Sequence, residues 1–212
     1  TDEQELQSMI NTMLGWGYEV QDKGVPIAIE ILGSLSDEQV ALLSRRLEES
    51  NLEWEEPEVG KTLDEARAGW AKEFSDRFGR FSGRLNAEQR TYVNAQSVRY
   101  IPDMELWADY RRRWQADLLA LLQQRGDPDV FGPGFIRLVE ARESYYGEEL
   151  TAIFDSNIAL NLEVSVWLIN HLTARQRDRF LRRLDDLALD FRELANAAPE
   201  TPPELEGCLI TC

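Results

Sequence analysis

Residues 172–195 read LTARQRDRFLRRLDDLALDFRELA, and the spacing inside that stretch decides the fold class. Phe180, Leu184, Leu187, Phe191 and Leu194 follow one another at alternating four- and three-residue steps. At 3.6 residues per turn these five fall on one stripe, the rhythm of a helix packed on another helix. The other faces carry Arg179, Arg182, Arg183, Asp186, Asp190 and Glu193, which water solvates. Two further stretches keep the same period. Leu63, Ala66, Trp70, Phe74, Phe78 and Phe81 form one stripe, and Trp107, Tyr110, Trp114, Leu118 and Leu121 form another after the break at Pro102. No segment alternates with period two between hairpin turns. The expected fold is all-α, a multi-helix bundle or curved helical array of about eight to nine helices.

Helix starts are marked by a repeat. Leu35-Ser36-Asp37-Glu38-Gln39, Leu85-Asn86-Ala87-Glu88-Gln89 and Leu172-Thr173-Ala174-Arg175-Gln176 share one form. Each is a capping box. The side chain of Ser36, Asn86 or Thr173 accepts from the amide three residues on, and Gln39, Gln89 or Gln176 reaches back to the cap amide. The preceding leucine serves as a hydrophobic staple. Thr1-Asp2-Glu3-Gln4 reads as a fourth copy without its leucine.

Breakers set the remaining boundaries. Pro57 and Gly60 end the acidic stretch Glu48 to Glu58, which reads as an exposed loop. Asp127-Pro128 starts a helix that Gly132-Pro133-Gly134 soon interrupts. The expected helices are 3–14, 25–33, 37–50, 62–82, 87–99, 103–125, 135–146, 148–171 and 174–196. Residues 1–198 read as one all-α domain, any sub-boundary falling near 55–61. Residues 199–212 read as an extended Pro-rich tail holding the two cysteines, Cys208 and Cys212. In an oxidising compartment that pair closes a small disulfide loop; elsewhere it stays as free thiols.

The chain has 212 residues and a formal charge of −16, with 39 acids against 23 bases. Residues 1–60 hold 14 acids and 3 bases, residues 61–126 hold 9 and 12, and residues 127–212 hold 16 and 8. A surface of that sign repels phosphates, so no nucleic acid is expected as a partner. The basic middle either packs beside the acidic helices of the same chain or docks an acidic partner. Neither an 18-residue apolar run nor a signal-peptide pattern is read in the chain, so no membrane-spanning helix is expected within it.

Catalytic patterns are sparse. The single histidine, His171, sits ahead of a helix cap and reads as part of a turn. There is no GxGxxG, Walker loop, GxSxG or CxxC. No catalytic residue, cofactor or metal is expected. A rival reading places a ligand or reaction in an inter-helical pocket, using Glu140, Glu143 or Glu163 with Arg137 or Arg142.

The most distinctive segment is Trp107-Ala108-Asp109-Tyr110-Arg111-Arg112-Arg113-Trp114-Gln115. Trp107, Tyr110 and Trp114 share a helix face, which core packing explains. Arg111 lies four residues after Trp107 and is placed to stack on its indole. Arg113 lies four after Asp109 and is placed to pair with it. The alternative to a buried stripe with a charged back is a protein-contact strip made of Trp107, Tyr110, Arg111, Arg112, Arg113 and Trp114.

The repeats and the arginine segment together resemble an uncharacterised family of proteobacterial lipoproteins, a domain-of-unknown-function group. The matching residues are Leu85 to Arg90, Trp107 to Gln115 with Leu118 to Leu122, and Leu172 to Ala195. The resemblance implies an envelope protein facing the periplasm, tethered by lipid upstream of residue 1; it implies no activity. The capping repeat alone is similar to that of the Spy/CpxP periplasmic chaperones, small helical proteins that cradle unfolded clients. This chain is longer and far more acidic than such a cradle. The expected function is a non-enzymatic helical module binding other periplasmic or envelope proteins, chaperone-like or scaffolding.

Overall fold

The computed structural model describes residues 3–197. Thr1 and Asp2 of the fourth motif copy, and the Cys208 and Cys212 pair, lie outside the described residues. Eight α-helices follow one another: α1 Glu3–Gly33, α2 Asp37–Glu55, α3 Leu63–Ser82, α4 Ala87–Gln96, α5 Met104–Leu122, α6 Pro128–Glu140, α7 Gly147–Asn170 and α8 Ala174–Ala197. Short 3-10 turns follow α2, α4 and α6, and no strand occurs among the described residues.

Three boundaries differ from the sequence reading, each for a tertiary reason. The first two expected helices are one, with Pro26 inside α1. Pro26 costs one backbone hydrogen bond, but Val25, Ala28, Ile29 and Leu32 beside it are packed into a core that holds the helix together. The acidic stretch 48–55 is helical rather than a loop. Its inner face is matched by α5: Asn51 and Gln115 exchange buried amide hydrogen bonds of 2.7 and 3.2 Å, and Glu55 and Glu48 pair with Arg112. Finally, α6 runs straight through Gly132-Pro133-Gly134. Gly134 is buried against α5, where a Cβ would lie 2.6 Å from a Leu121 methyl, so the glycine lets two helices approach.

All three complete motif copies form capping boxes. Thr62 with Glu65 makes a further one at the start of α3, a T-x-x-E box that the leucine-and-glutamine pattern overlooks. The motifs also do more than cap. Gln89 and Gln176 meet in the interior and exchange two 3.0 Å amide hydrogen bonds. Gln89 Nε2 also donates to the carbonyl of His171 at 2.9 Å, and Gln176 Nε2 donates to that of Arg84 at 3.1 Å. Each acceptor sits immediately before the other motif's leucine, so the two helix corners are related by a local two-fold.

That relation organises the whole chain. Helices α3 and α4 pack on each other, as do α5 and α6, and the other pairings join helices distant in the chain. In one unit α1 packs on α6 and α2 on α5; in the other α3 packs on α8 and α4 on α7. Each unit has its own core. Val40, Leu118, Leu122, Phe131, Phe135 and Leu138 fill the first; Ala71, Leu85, Val93, Leu160, Val164 and Leu168 fill the second. Where the second unit uses two glutamines, the first uses Arg125, which donates to the Leu35 carbonyl at 2.7 Å and pairs with Asp37. The units interleave along the chain and meet through α1 and α7.

The expectation of no membrane-length apolar helix needs correcting for α7, which is long and apolar enough by length and composition, with a mean hydropathy of 1.3. Several of its polar side chains are committed within the protein. Asn157 brackets the Ile101 backbone with bonds of 2.8 and 3.2 Å, Asn161 accepts from Trp70 at 3.1 Å, and Glu163 pairs with Arg99 at 2.8 Å.

The α8 stripe is only partly partnered. Phe180 stacks on Phe78 with ring centroids 6.0 Å apart and tilts against Phe81 at 6.3 Å. Leu184 and Phe191, on the same stripe, are 38% and 65% exposed.

Candidate functional site

The arginine segment lies in the middle of α5, and its side chains are engaged from several sides. Trp114 is half-buried beside the first core and donates from Nε1 to the Leu138 carbonyl at 3.1 Å. Trp107 donates to Asp103 at 3.1 Å. Its ring is met edge-on by Tyr110, Tyr146 and Phe154 at 5.4, 5.2 and 5.7 Å. Arg111 does not stack on Trp107 as its spacing led us to expect; it lies 4.8 Å above Trp54 of α2. Arg112 reaches Glu55 and Glu48 of α2. Arg113 pairs with Asp109 at 3.1 Å, as its spacing predicts, and donates to the Tyr145 carbonyl at 2.8 Å. The three arginines thus bind α5 to α2 and to the turn after α6.

What the segment also does is wall a groove. Trp107 and Met104 of α5 form one side, and Trp70, Phe74, Phe78 and Phe81 of α3 form the floor. Trp54 and Pro57 after α2, Tyr100 and Pro102 before α5, and Asn161 and Ser165 of α7 complete a cleft of about 920 Å³. The α3 stripe is aromatic for a packing reason. Trp70 stacks on Tyr100 at 5.8 Å and tilts against Phe74 at 5.3 Å, and its indole N–H is fixed by Asn161. Burial, with Asp103, Glu58 and Glu73 nearby, pushes the Tyr100 hydroxyl up to about 12. Burial also raises the Asp103 carboxyl, against the lowering effect of the Trp107 hydrogen bond.

A second recess of about 1060 Å³ shares Glu58, Lys61, Pro102, Asp103 and Met104 with this groove. It is acidic: Glu55, Glu105, Asp109 and Glu149 also line it, against Lys61 and Arg112. An aromatic cleft therefore opens beside a carboxylate-lined one, with Met104 at the shared edge.

The carboxylates and arginines of the rival pocket reading are not linked to one another. Glu163 is held by Arg99 and Glu143 accepts from Tyr18 at 3.1 Å, while Arg137 lines a shallow recess with Asp117 and Tyr145. No ion pair joins Glu140, Glu143 or Glu163 to Arg137 or Arg142 among the described residues. Nor does any group of three His, Cys, Asp or Glu there stand ready to hold a metal ion. His171 ends α7, its ring stacked on Trp167 at 3.9 Å and its Nδ1 2.7 Å from the Trp167 carbonyl.

Sequence reasoning named Trp107 but missed the rest of the groove. The α3 stripe was legible as a core face, and Trp70, Phe74 and Phe78 do pack on the second core; that their other side borders a cleft depends on where α5 and α7 stand.

Fold and site together define the class: an all-α bundle of two interleaved helical units with an aromatic cleft beside an acidic one. Residues 2–151 match a family of unknown function, DUF6279, and the chain belongs to that family. No curated protein and no solved structure matches it.

Proposed function

We propose that the protein is a non-enzymatic binding module that takes apolar, basic-flanked segments of other proteins into the aromatic cleft. The carrying observation is the cleft itself, a groove of rings long enough for several side chains and bordered by carboxylates. Aromatic faces give apolar side chains contact area at low entropic cost, and neighbouring acids select lysine or arginine beside them. Chaperone-like and scaffolding roles both fit a site of this chemistry. The setting proposed with it is the periplasmic face of a bacterial envelope, with a lipid tether upstream of residue 1. That setting rests on the family resemblance of the repeats and the arginine segment, and metabolic labelling with a fatty acid followed by fractionation tests it.

The binding test uses tryptophan fluorescence. A Phe/Leu peptide flanked by lysines is titrated against wild type and against Met104→Lys, with a glutamate-flanked version as comparison. Saturable binding of the lysine-flanked peptide, weakened at least tenfold in the variant, supports the reading. Equal binding by both proteins, or no saturation with either peptide, overturns it.

A further inference from the structure

We infer that α8 is a self-association surface, on which a second copy of this chain docks antiparallel through a seam of Leu181, Leu184, Ala188 and Phe191. Two seams run side by side along this helix. Phe180 meets the Phe78 and Phe81 rings of α3, and Gln176 bonds the Arg84 carbonyl just after α3; by helical spacing Leu187 continues that side. The adjacent seam has steps of three, four and three residues, the spacing of a helix pair. All four of its members are exposed, Leu181 and Phe191 at 53% and 65%. A soluble helix that keeps this pattern open has an unfilled partner position.

Charge selects the partner and its direction. Arg175, Arg177, Arg179, Arg182 and Arg183 crowd the first half of α8 against Asp178 alone. Asp185, Asp186, Asp190 and Glu193 crowd the second half against Arg192. A parallel copy sets like signs beside each other along the whole length, whereas an antiparallel copy sets each half against its opposite and also opposes the helix dipoles. The seam reads the same in both directions about its midpoint. Leu181 then meets Phe191 of the partner copy, Leu184 meets Ala188, and Asp178 on the flank comes opposite Arg192. The seam spans three turns, which falls well short of the roughly 1,200 Å² at which interfaces become reliably stable. The dimer is accordingly weak and concentration-dependent. This surface is independent of the aromatic cleft.

Sedimentation velocity of the full chain under reducing conditions, over a wide concentration range, tests it. Wild type is expected to show a monomer–dimer equilibrium. Leu184→Glu/Phe191→Glu weakens association at least tenfold, while Leu189→Glu, on the opposite face, leaves it unchanged. Asp178→Arg and Arg192→Asp each weaken it, and the two together restore it, because in the antiparallel register they face each other. A monomer at every concentration overturns the inference. So does association that ignores the seam variants, or a double charge swap that fails to restore. Seam-dependent binding of monomeric protein to anionic phospholipid vesicles overturns it in favour of a membrane surface.

Discussion

Single residues in this protein act mostly by joining helices distant in sequence. Gln89 and Gln176 illustrate it, since each satisfies the other's buried amide and a carbonyl besides. Replacing either with alanine strands its partner, a loss of about 1–3 kcal/mol. The double variant should cost less than the sum, and a urea-denaturation cycle checks this. Gly134 works by close approach. Gly134→Ala drives a methyl into Leu121 and should cost about 1–3 kcal/mol, read as a lowered Tm. Asp103 runs the other way. Its carboxyl is raised by burial, so the folded state prefers it neutral, and the stability this gives is present below the unfolded value and lost as pH rises through the folded one. At pH 7 the ionised group is therefore a liability. Asp103→Asn, which keeps an oxygen for the Trp107 N–H, should match or exceed the wild-type Tm there, with the gap closing at acid pH.

Helices here are started by local chemistry and kept by tertiary contact. The caps at Ser36, Thr62 and Asn86 each satisfy the amide of the third helical residue. Asn86→Ala should cost about 1 kcal/mol, and Asn86→Ser, which caps equally well, should restore it. The caps at Ser36 and Asn86 were legible because a cap needs only four consecutive residues; the Thr62 box has the same reach but lacks the leucine and glutamine that marked the others. The path of α1 through Pro26 and of α6 through Pro133 was not legible, since the apolar contacts that offset a lost hydrogen bond come from other helices. The acidic run 48–55 reads as a solvated loop until the Arg111 and Arg112 side chains of α5 are set against it.

At the scale of the whole molecule, each core is flanked by a half-buried tyrosine, Tyr145 beside the first and Tyr100 beside the second. The hydroxyls of Tyr100 and Tyr145 are both pushed up to about 12, the first chiefly by burial and the second chiefly by its 2.5 Å hydrogen bond to Asp117. A folded value above the unfolded one of about 10 means stability that is complete below pH 10 and lost as pH rises toward 12. Tm should therefore fall steeply across that window while tyrosinate absorbance rises. Tyr100→Phe should flatten the Tyr100 share of the slope without changing the Tyr145 share.

The sequence by itself determined that the chain is helical, where most of its helices begin, and which residues cap them. Those properties depend on a 3.6-residue period and on hydrogen bonds spanning three positions, both of which are local. Tertiary structure decided that α1 and α2 pair with α6 and α5, that α3 and α4 pair with α8 and α7, and that two motif glutamines meet in the interior. It also decided that the Trp107 and α3 stripes border an open cleft while the arginines between the tryptophans bind helix to helix. A stripe of aromatic residues is the same signal whether it is covered or left open. Only the positions of α2, α5 and α7, set by contacts among residues 50 to 100 apart, separate a core face from a binding face.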